Sequence, residues 1–212
     1  MKPPQPKKIP KIHTAHGDER IDDYYWLRDD TRKNPEVISY LEAENKYLES
    51  WFESKNDCRK EIYNELVSFI PPHEVSMKVK YGDYYYFSEI SSDQQYKTYY
   101  REINGNKELV LDVNELAKDL DYFNVASITP SPNNHYIAYA EDLSGRREYN
   151  IKIKNLETGQ IIDESIQRSS GSVVWNKNND TIYYALKDPV TLIENKVFKH
   201  KVGTDTKEDI LI

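Results

Sequence analysis

The sequence predicts a mainly β protein whose N-terminal part is helical. Between residues 34 and 70, apolar side chains recur at helical spacing, whereas from about residue 77 onward side chains alternate with the period of two that marks β-strands. The 18 Tyr residues also favour half-buried pleated surfaces. Because the chain has only 7 Gly, Asn is expected to supply part of the turn chemistry.

The first 33 residues predict an extended arm. Lys2, Lys7, Lys8 and Lys11 alternate with four prolines, and such spacing favours solvated polyproline II. The arm ends in an aromatic cluster at residues 24–27. This cluster is expected to anchor the arm on a partner domain rather than to bind a ligand.

Two helices are predicted next. Asn34 is a good N-cap and Pro35 fits the first helical position. A second helix is expected to start near Asp57 and to stop before Pro71 and Pro72, since proline cannot donate to the helix ladder. One apolar face of the first helix would carry Val37, Leu41, Leu48 and Phe52. The sequence therefore predicts a helical arm over residues 1–72 and a β domain over residues 73–212.

The β part contains a repeat. Ser-Pro-Asn-Asn at residues 131–134 and Asn-Lys-Asn-Asn at residues 176–179 each precede a strand, about 45 residues apart. Each copy divides into four short strands. The predicted strands are residues 125–129, 135–141, 149–155 and 160–163 in the middle copy, 172–175, 181–185, 196–201 and 208–211 in the next, and 84–90, 98–103 and 108–112 in an earlier, less regular one.

Four strands per repeat are typical of a β-propeller blade. Periodicity alone leaves two alternatives open, an ordinary meandering sheet and a small β-sandwich behind a helical arm. Blades bury their faces against neighbours in rings of about 4–8 blades, and this chain supplies about three. The prediction is therefore an incomplete propeller, in a sequence that ends inside a domain.

A family resemblance rests on residues 22–30, which read DDYYWLRDD. This stretch resembles the Asp-Pro-Tyr-x-Trp-Leu signature near the N-terminus of prolyl oligopeptidase family enzymes, with Asp23 in place of the usual proline. Within that family the chain most resembles oligopeptidase B, also called protease II, from about Ile9 to the end. The supporting stretches are residues 70–71, 74–76, 128–130, 140–142, 155–159 and 189–192.

The resemblance implies the N-terminal part of a two-part serine peptidase. In that family an α/β-hydrolase domain carries the catalytic triad, and a seven-bladed propeller restricts access to short peptides, which oligopeptidase B cuts after Lys or Arg. Residues 1–72 would pack on the hydrolase domain, and residues 73–212 would form blades 1 and 2 and most of blade 3. The partners would be the C-terminal hydrolase part and, in the full-length enzyme, short peptides. The alternative is a non-enzymatic interaction module completed by self-association or by a partner.

The chain itself offers no strong candidate for catalysis. It contains no Gly-x-Ser-x-Gly elbow, and the nearest sequence, Ser170-Gly171-Ser172, has no helix pattern after it. The resemblance places the triad beyond residue 212. We therefore predict no catalytic, cofactor-binding or metal-binding residues in this chain, and no cofactor.

Other reactive side chains have simpler interpretations. His13 and His16 lie three residues apart but lack further ligands at suitable spacing, and Cys58 at a helix start lacks a candidate histidine. The acidic pairs at residues 22–23 and 29–30 are expected to cap local turns. Arg146 and Arg147 are expected in a solvent-facing turn, with contact to another domain as the functional alternative.

Charge and composition exclude several classes of partner. The net charge of −7 argues against nucleic acid, and no apolar run approaches the roughly 20 residues that span a membrane. A single cysteine forms no internal disulfide, and Lys and Pro occupy the place of a signal-peptide core. The predicted location is cytoplasmic.

Overall fold

A computed structural model describes residues 2–212. The chain divides into two compact units, one ending at Ile70 and the other comprising Pro71–Ile212. Within the described residues, no helix combines the length and apolar character needed to cross a bilayer.

The first unit is a hairpin followed by two helices. Its elements are β1 (Lys11–Ala15), β2 (Asp18–Asp22), α1 (Pro35–Glu53) and α2 (Asn56–Ser68). As predicted, Asn34 caps α1, its side chain accepting a 3.0 Å hydrogen bond from the Glu36 amide. The β1–β2 hairpin corrects the expectation of an arm without secondary structure over residues 1–33. Its strands are nearly all exposed and carry no alternating apolar pattern, so no local pattern predicts them.

The second unit begins with a first blade. Its strands are β3 (His73–Val75), β4 (Val79–Tyr81), β5 (Tyr84–Ser91), β6 (Thr98–Ile103) and β7 (Asn106–Asp112). Both β3 and β4 pair with β5, and β6 and β7 follow in antiparallel order. A short helix, α3 (Val113–Leu116), leads out of the blade.

A continuous seven-stranded sheet forms the next two blades. Its strands are β8 (Asn124–Pro130), β9 (Tyr136–Asp142), β10 (Tyr149–Asn155), β11 (Ile161–Trp175), β12 (Thr181–Lys187), β13 (Glu194–Lys201) and β14 (Ile210–Leu211). The strand β11 is shared: its first part pairs with β10 and its last residues pair with β12. The sequence predicts two separate strands here, at residues 160–163 and 172–175, and the structure joins them.

Gly171 lies where β11 passes from one blade to the next. Its φ is +93°, and a Cβ there would lie 2.8 Å from Cδ2 of Tyr149. Only glycine satisfies both this backbone conformation and this close packing. The Ser-Gly-Ser sequence therefore marks a turn of one strand between blades rather than a break between two strands.

The core explains why the second blade is buried on both faces. Side chains alternate along β9, so Ile137 and Tyr139 face one apolar cluster while Ala138 and Ala140 face another. The first cluster includes Val110 of the first blade, and the second includes residues of β12 such as Ile182. The second blade is thus packed between its two neighbours.

The repeated turn also joins the blades. Asn134 (φ +60°) and Asn179 (φ +66°) occupy equivalent left-handed positions, and the Asn133 amide donates a 2.8 Å hydrogen bond to Oδ1 of Asn179. In the first blade Gly82 (φ +60°) takes the same place, and Tyr86 donates to Oδ1 of Asn134. The two Asn turns were predicted as a repeat; the third copy was missed because Gly replaces Asn.

Candidate functional site

The serine candidates lie inside β11 and lack catalytic geometry. Ser170 and Ser172 flank Gly171 in the strand, and Ser172 is exposed. The Ser172 amide donates a 3.4 Å hydrogen bond to Oγ of Ser170. A nucleophile requires an adjacent base in hydrogen-bond reach, and no histidine lies there among the described residues.

One histidine does lie beside two carboxylates. His200 is fully buried, with Nε2 2.8 Å from Oδ2 of Asp163 and Nδ1 2.7 Å from Oδ1 of Asp209. Tyr184 donates a 2.7 Å hydrogen bond to the other oxygen of Asp209. The network connects β11, β12, β13 and the residue just before β14.

This network holds an imidazolium rather than a general base. Burial works against the charge, but the hydrogen bonds to Asp163 and Asp209 outweigh it and raise the pKa of His200. Burial likewise opposes ionisation of Asp163, yet the His200 contact and the Gly203 amide lower the pKa of that carboxyl. A general base needs a free ring nitrogen, and both are occupied here. The network therefore stabilises the third blade.

The other reactive candidates all lie in the first unit. His13 lies in β1 with its ring 4.8 Å from that of Tyr25, while His16 takes a left-handed conformation in the β1–β2 turn. Cys58 is an exposed free thiol near the start of α2. Among residues 2–212, no group of His, Cys, Asp and Glu is arranged to hold a metal ion.

The acidic pairs and the aromatic cluster organise the first unit. Asp29 accepts bonds from Thr31, Lys33 and Asn34, and these contacts, led by the Thr31 hydroxyl, lower its pKa to about 2. Trp26 donates a 2.8 Å hydrogen bond to the Lys7 carbonyl and packs edge-on against Tyr40. The aromatic cluster thus holds the arm within its own unit.

The helices of the first unit carry an apolar surface that the unit does not cover. In α2 no residue is buried, and in α1 only Val37 is buried. Phe69, directly after α2, is 72% exposed. We call this set the helical apolar surface: Leu41, Leu48, Trp51, Ile62, Leu66 and Phe69. On each helix these side chains recur at helical spacing, Leu41 and Leu48 on α1 and Ile62 and Leu66 on α2, so each helix presents an exposed apolar stripe of the kind that packs against another protein part.

A second feature is a cavity of about 550 Å³ at one edge of the second and third blades. Three separate segments line it: the β9–β10 loop, the bend of β11 and the β12–β13 loop. Its cationic side chains are Arg146, Arg147, Arg168, Lys187 and Lys196, and its acidic ones are Glu148 and Asp188. We call it the cationic cavity. Sequence analysis singled out only Arg146 and Arg147, because the remaining cations come from distant segments that the blade topology brings together.

Buried or turn-forming aspartates fix the two loops of this cavity. Asp142 is fully buried and accepts bonds from the amides of Ser144, Gly145 and Arg147. Burial works against its ionisation, but these amides lower its pKa. Asp188 accepts in the same way from the amides of Val190 and Thr191. Both loops are therefore held in place by their own backbone.

The net positive charge of the cationic cavity disfavours binding of a positively charged ligand. Five cations and two acids give it a formal charge of +3 within a chain of −7. A basic side chain of a peptide would be repelled there. The cavity is therefore no subsite for Lys or Arg.

Comparison with known proteins places this architecture in a family. Residues 3–212 match the family described as prolyl oligopeptidase, N-terminal beta-propeller domain. The chain belongs to the prolyl oligopeptidase family of serine peptidases and represents its N-terminal propeller part. The predicted family and fold class are confirmed.

Individual relatives sharpen the comparison. Protease 2 of Moraxella lacunata is 35% identical over 222 residues, covering 100% of this chain and 32% of the relative. Dipeptidyl aminopeptidase BI of Pseudoxanthomonas mexicana is 33% identical over 229 residues, covering 99% of this chain and 32% of the relative. The structure of oligopeptidase B from Leishmania major superposes with a TM-score of 0.90 at 29% identity, over 99% of this chain and 32% of that one. The chain thus spans about a third of the length of these relatives.

Proposed function

We propose that this chain provides the docking arm and the first propeller blades of a serine oligopeptidase that cleaves short peptides after Lys or Arg. Residues 1–72 would dock on an α/β-hydrolase part that carries the catalytic triad. Residues 73–212 would contribute to the propeller that limits access to the active site. In this proposal the chain docks and gates, and the catalytic step takes place elsewhere.

The helical apolar surface is the observation that carries the docking role. Leu66 is 60% exposed and Phe69 more so, although both are among the most hydrophobic residues in the chain. Covering such side chains contributes about 1.5–3 kcal/mol each. The second unit, by contrast, buries two apolar clusters between its own blades, although side chains such as Met77 and Ile193 stay exposed there too. A hydrolase part in contact with the helices would cover what the first unit leaves exposed.

Cleavage after Lys or Arg rests on the resemblance to oligopeptidase B and protease 2. The relative named dipeptidyl aminopeptidase BI favours a second specificity, the release of dipeptides from a free amino terminus. The two differ in one requirement, since only the second needs that free terminus. Amino-blocked and unblocked reporter peptides ending in Arg therefore distinguish them.

The experiment is a chimera in which this chain replaces the matching third of Moraxella lacunata protease 2. We expect the chimera to hydrolyse a blocked Arg-coumarin reporter, and the isolated 212-residue chain not to do so. If the chimera instead releases dipeptides, and only from peptides with a free amino terminus, the second specificity replaces cleavage after Lys or Arg in the proposal. Turnover by the isolated chain that persists through repurification would contradict the proposed division of labour.

A matched pair of variants tests the docking surface within the chimera. Leu66→Glu places a charge on the helical apolar surface, while Leu109→Glu places the same charge on a similarly exposed leucine of β7 (60% and 53% exposed). We expect Leu66→Glu to lower the melting temperature and turnover of the chimera, and Leu109→Glu to leave both near the parent. Equal behaviour of the two variants would contradict docking through α2.

A further inference from the structure

The cationic cavity carries more positive charge than its own acids neutralise. Arg168 contacts Glu148 at 3.2 Å, and Asp188 is committed to backbone amides of its own loop. Within residues 2–212, no carboxylate lies in ion-pair distance of Arg146, Arg147, Lys187 or Lys196. The charge of Lys196 nevertheless acts on Asp188, where it adds to the Thr191 and Val190 bonds that lower the pKa of that carboxyl. Arg146, Arg147 and Lys187 therefore face the cavity without an ion-pair partner among the described residues.

Backbone conformation holds these side chains around the cavity. Arg147 (φ +58°), Arg168 (φ +59°) and Leu192 (φ +61°) all line it in the left-handed region. Such conformations are strained for residues other than glycine and concentrate where ligands are held. Lys187 also donates a 3.0 Å hydrogen bond to the Arg147 carbonyl, which ties β12 to the β9–β10 loop. The backbone that carries Arg147 and Arg168 is thus fixed, while the side chains of Arg146, Arg147 and Lys196 are exposed.

The dimensions and lining of the cavity match a small ligand. Its volume of about 550 Å³ lies inside the range of roughly 300–1,000 Å³ for small-molecule sites. Arginine forks bind phosphate and carboxylate oxygens in pairs, and lysines add point charges. Leu186, Pro189 and Leu192 form an apolar part of the wall.

We propose that the cationic cavity is a binding site for a small ligand that carries at least two anionic groups, of the phosphate or carboxylate kind. The anionic groups would contact Arg146, Arg147 and Lys196, and an organic part would lie against the apolar wall. The proposal stands apart from the peptidase role, because it concerns only residues of the second and third blades. The 212-residue chain is sufficient to test it.

Calorimetric titration with two probes tests the site. Inorganic pyrophosphate and citrate carry similar charge on different groups, so their relative affinities show which kind of group the cavity prefers. We expect at least one of them to bind with one-to-one stoichiometry at low salt, and binding to weaken as salt is raised. Absence of stoichiometric binding by both probes would overturn the proposal.

Matched double variants locate the binding. Arg146→Gln with Lys196→Gln removes two exposed cations of the cavity, while Arg20→Gln with Lys199→Gln removes one exposed arginine and one exposed lysine elsewhere. We expect the first pair to weaken binding by at least about tenfold, the effect of losing one charge-assisted hydrogen bond, and the second pair by less than about twofold. Equal weakening by both pairs would show general charge attraction and overturn the proposal. The single variants repeat the test if a double variant fails to fold, as judged by thermal melting.

Discussion

Strand β9 and helix α2 both carry large apolar side chains, yet these side chains lie in opposite environments. Every residue of β9 after Tyr136 is buried, whereas α2 has no buried residue. The strand receives cover on both faces from blades that lie next to it in sequence. The helix presents Ile62 and Leu66 outward without such cover within its unit. The propeller part thus builds a core of its own, while the helices leave apolar side chains exposed, as the proposed docking role requires.

The largest effect on stability is expected from removing His200 from its buried hydrogen-bond network in the third blade. His200→Ala would leave Asp163 and Asp209 buried without their cation, and should lower the free energy of unfolding by about 3–5 kcal/mol. Urea denaturation measures this. His135→Ala, at an exposed position, is the control and should change stability by less than about 0.5 kcal/mol. Similar values for the two variants would show that the buried network contributes little.

Truncation of one isoleucine in β9 and one in α2 compares how much each contributes to the free energy of unfolding. Ile137 is fully buried in β9 and Ile62 is 51% exposed in α2. Ile137→Ala should cost about 2–5 kcal/mol in unfolding free energy because a cavity remains between the blades. Ile62→Ala should cost less than about 0.5 kcal/mol. A large loss at Ile62 in the isolated chain would mean that α2 is already covered.

Substitution of two glycines of the second unit distinguishes the cost of steric overlap from the cost of backbone strain. Gly171 (φ +93°) contacts Tyr149, whereas Gly203 (φ +84°) has open space around its missing Cβ. Gly203→Ala should cost about 1 kcal/mol from backbone strain, and Gly171→Ala about 1–3 kcal/mol more from overlap with the tyrosine ring. Thermal or urea unfolding measures the difference. Equal losses of unfolding free energy in the two variants would show that packing against Tyr149 does not require glycine at the bend of β11.

The dependence of stability on pH gives the smallest effect. Because the folded pKa of His200 is raised, its contribution is complete below the unfolded value of about 6.5 and is lost as pH rises through the folded value. Because the folded pKa of Asp163 is lowered, its contribution is present above about 4 and is lost as pH falls through the folded value. Unfolding free energy should therefore decline above neutral pH. The His200→Ala variant should lose that decline, and an unchanged slope would contradict the assignment.

Much of the fold was predictable because strand patterns are local. Residues 98–103 and 149–155 were predicted as strands and are β6 and β10 with the same bounds. The β1–β2 hairpin escaped prediction because its polar strands lack alternation, and the continuity of β11 was hidden by the Ser-Gly-Ser sequence. His200 lies 37 and 9 residues from its two carboxylates, and the cationic cavity joins two loops and the bend of β11. Such contacts depend on how blades pack, which no local pattern records.

Hydrogen exchange of the isolated chain, followed by mass spectrometry, tests the central comparison most directly. We expect amides of β9 to exchange far more slowly than those of α2, because β9 lies in a buried core and α2 has no buried residue. Protection of α2 equal to that of β9 would contradict it, since the helical apolar surface would then need no further cover.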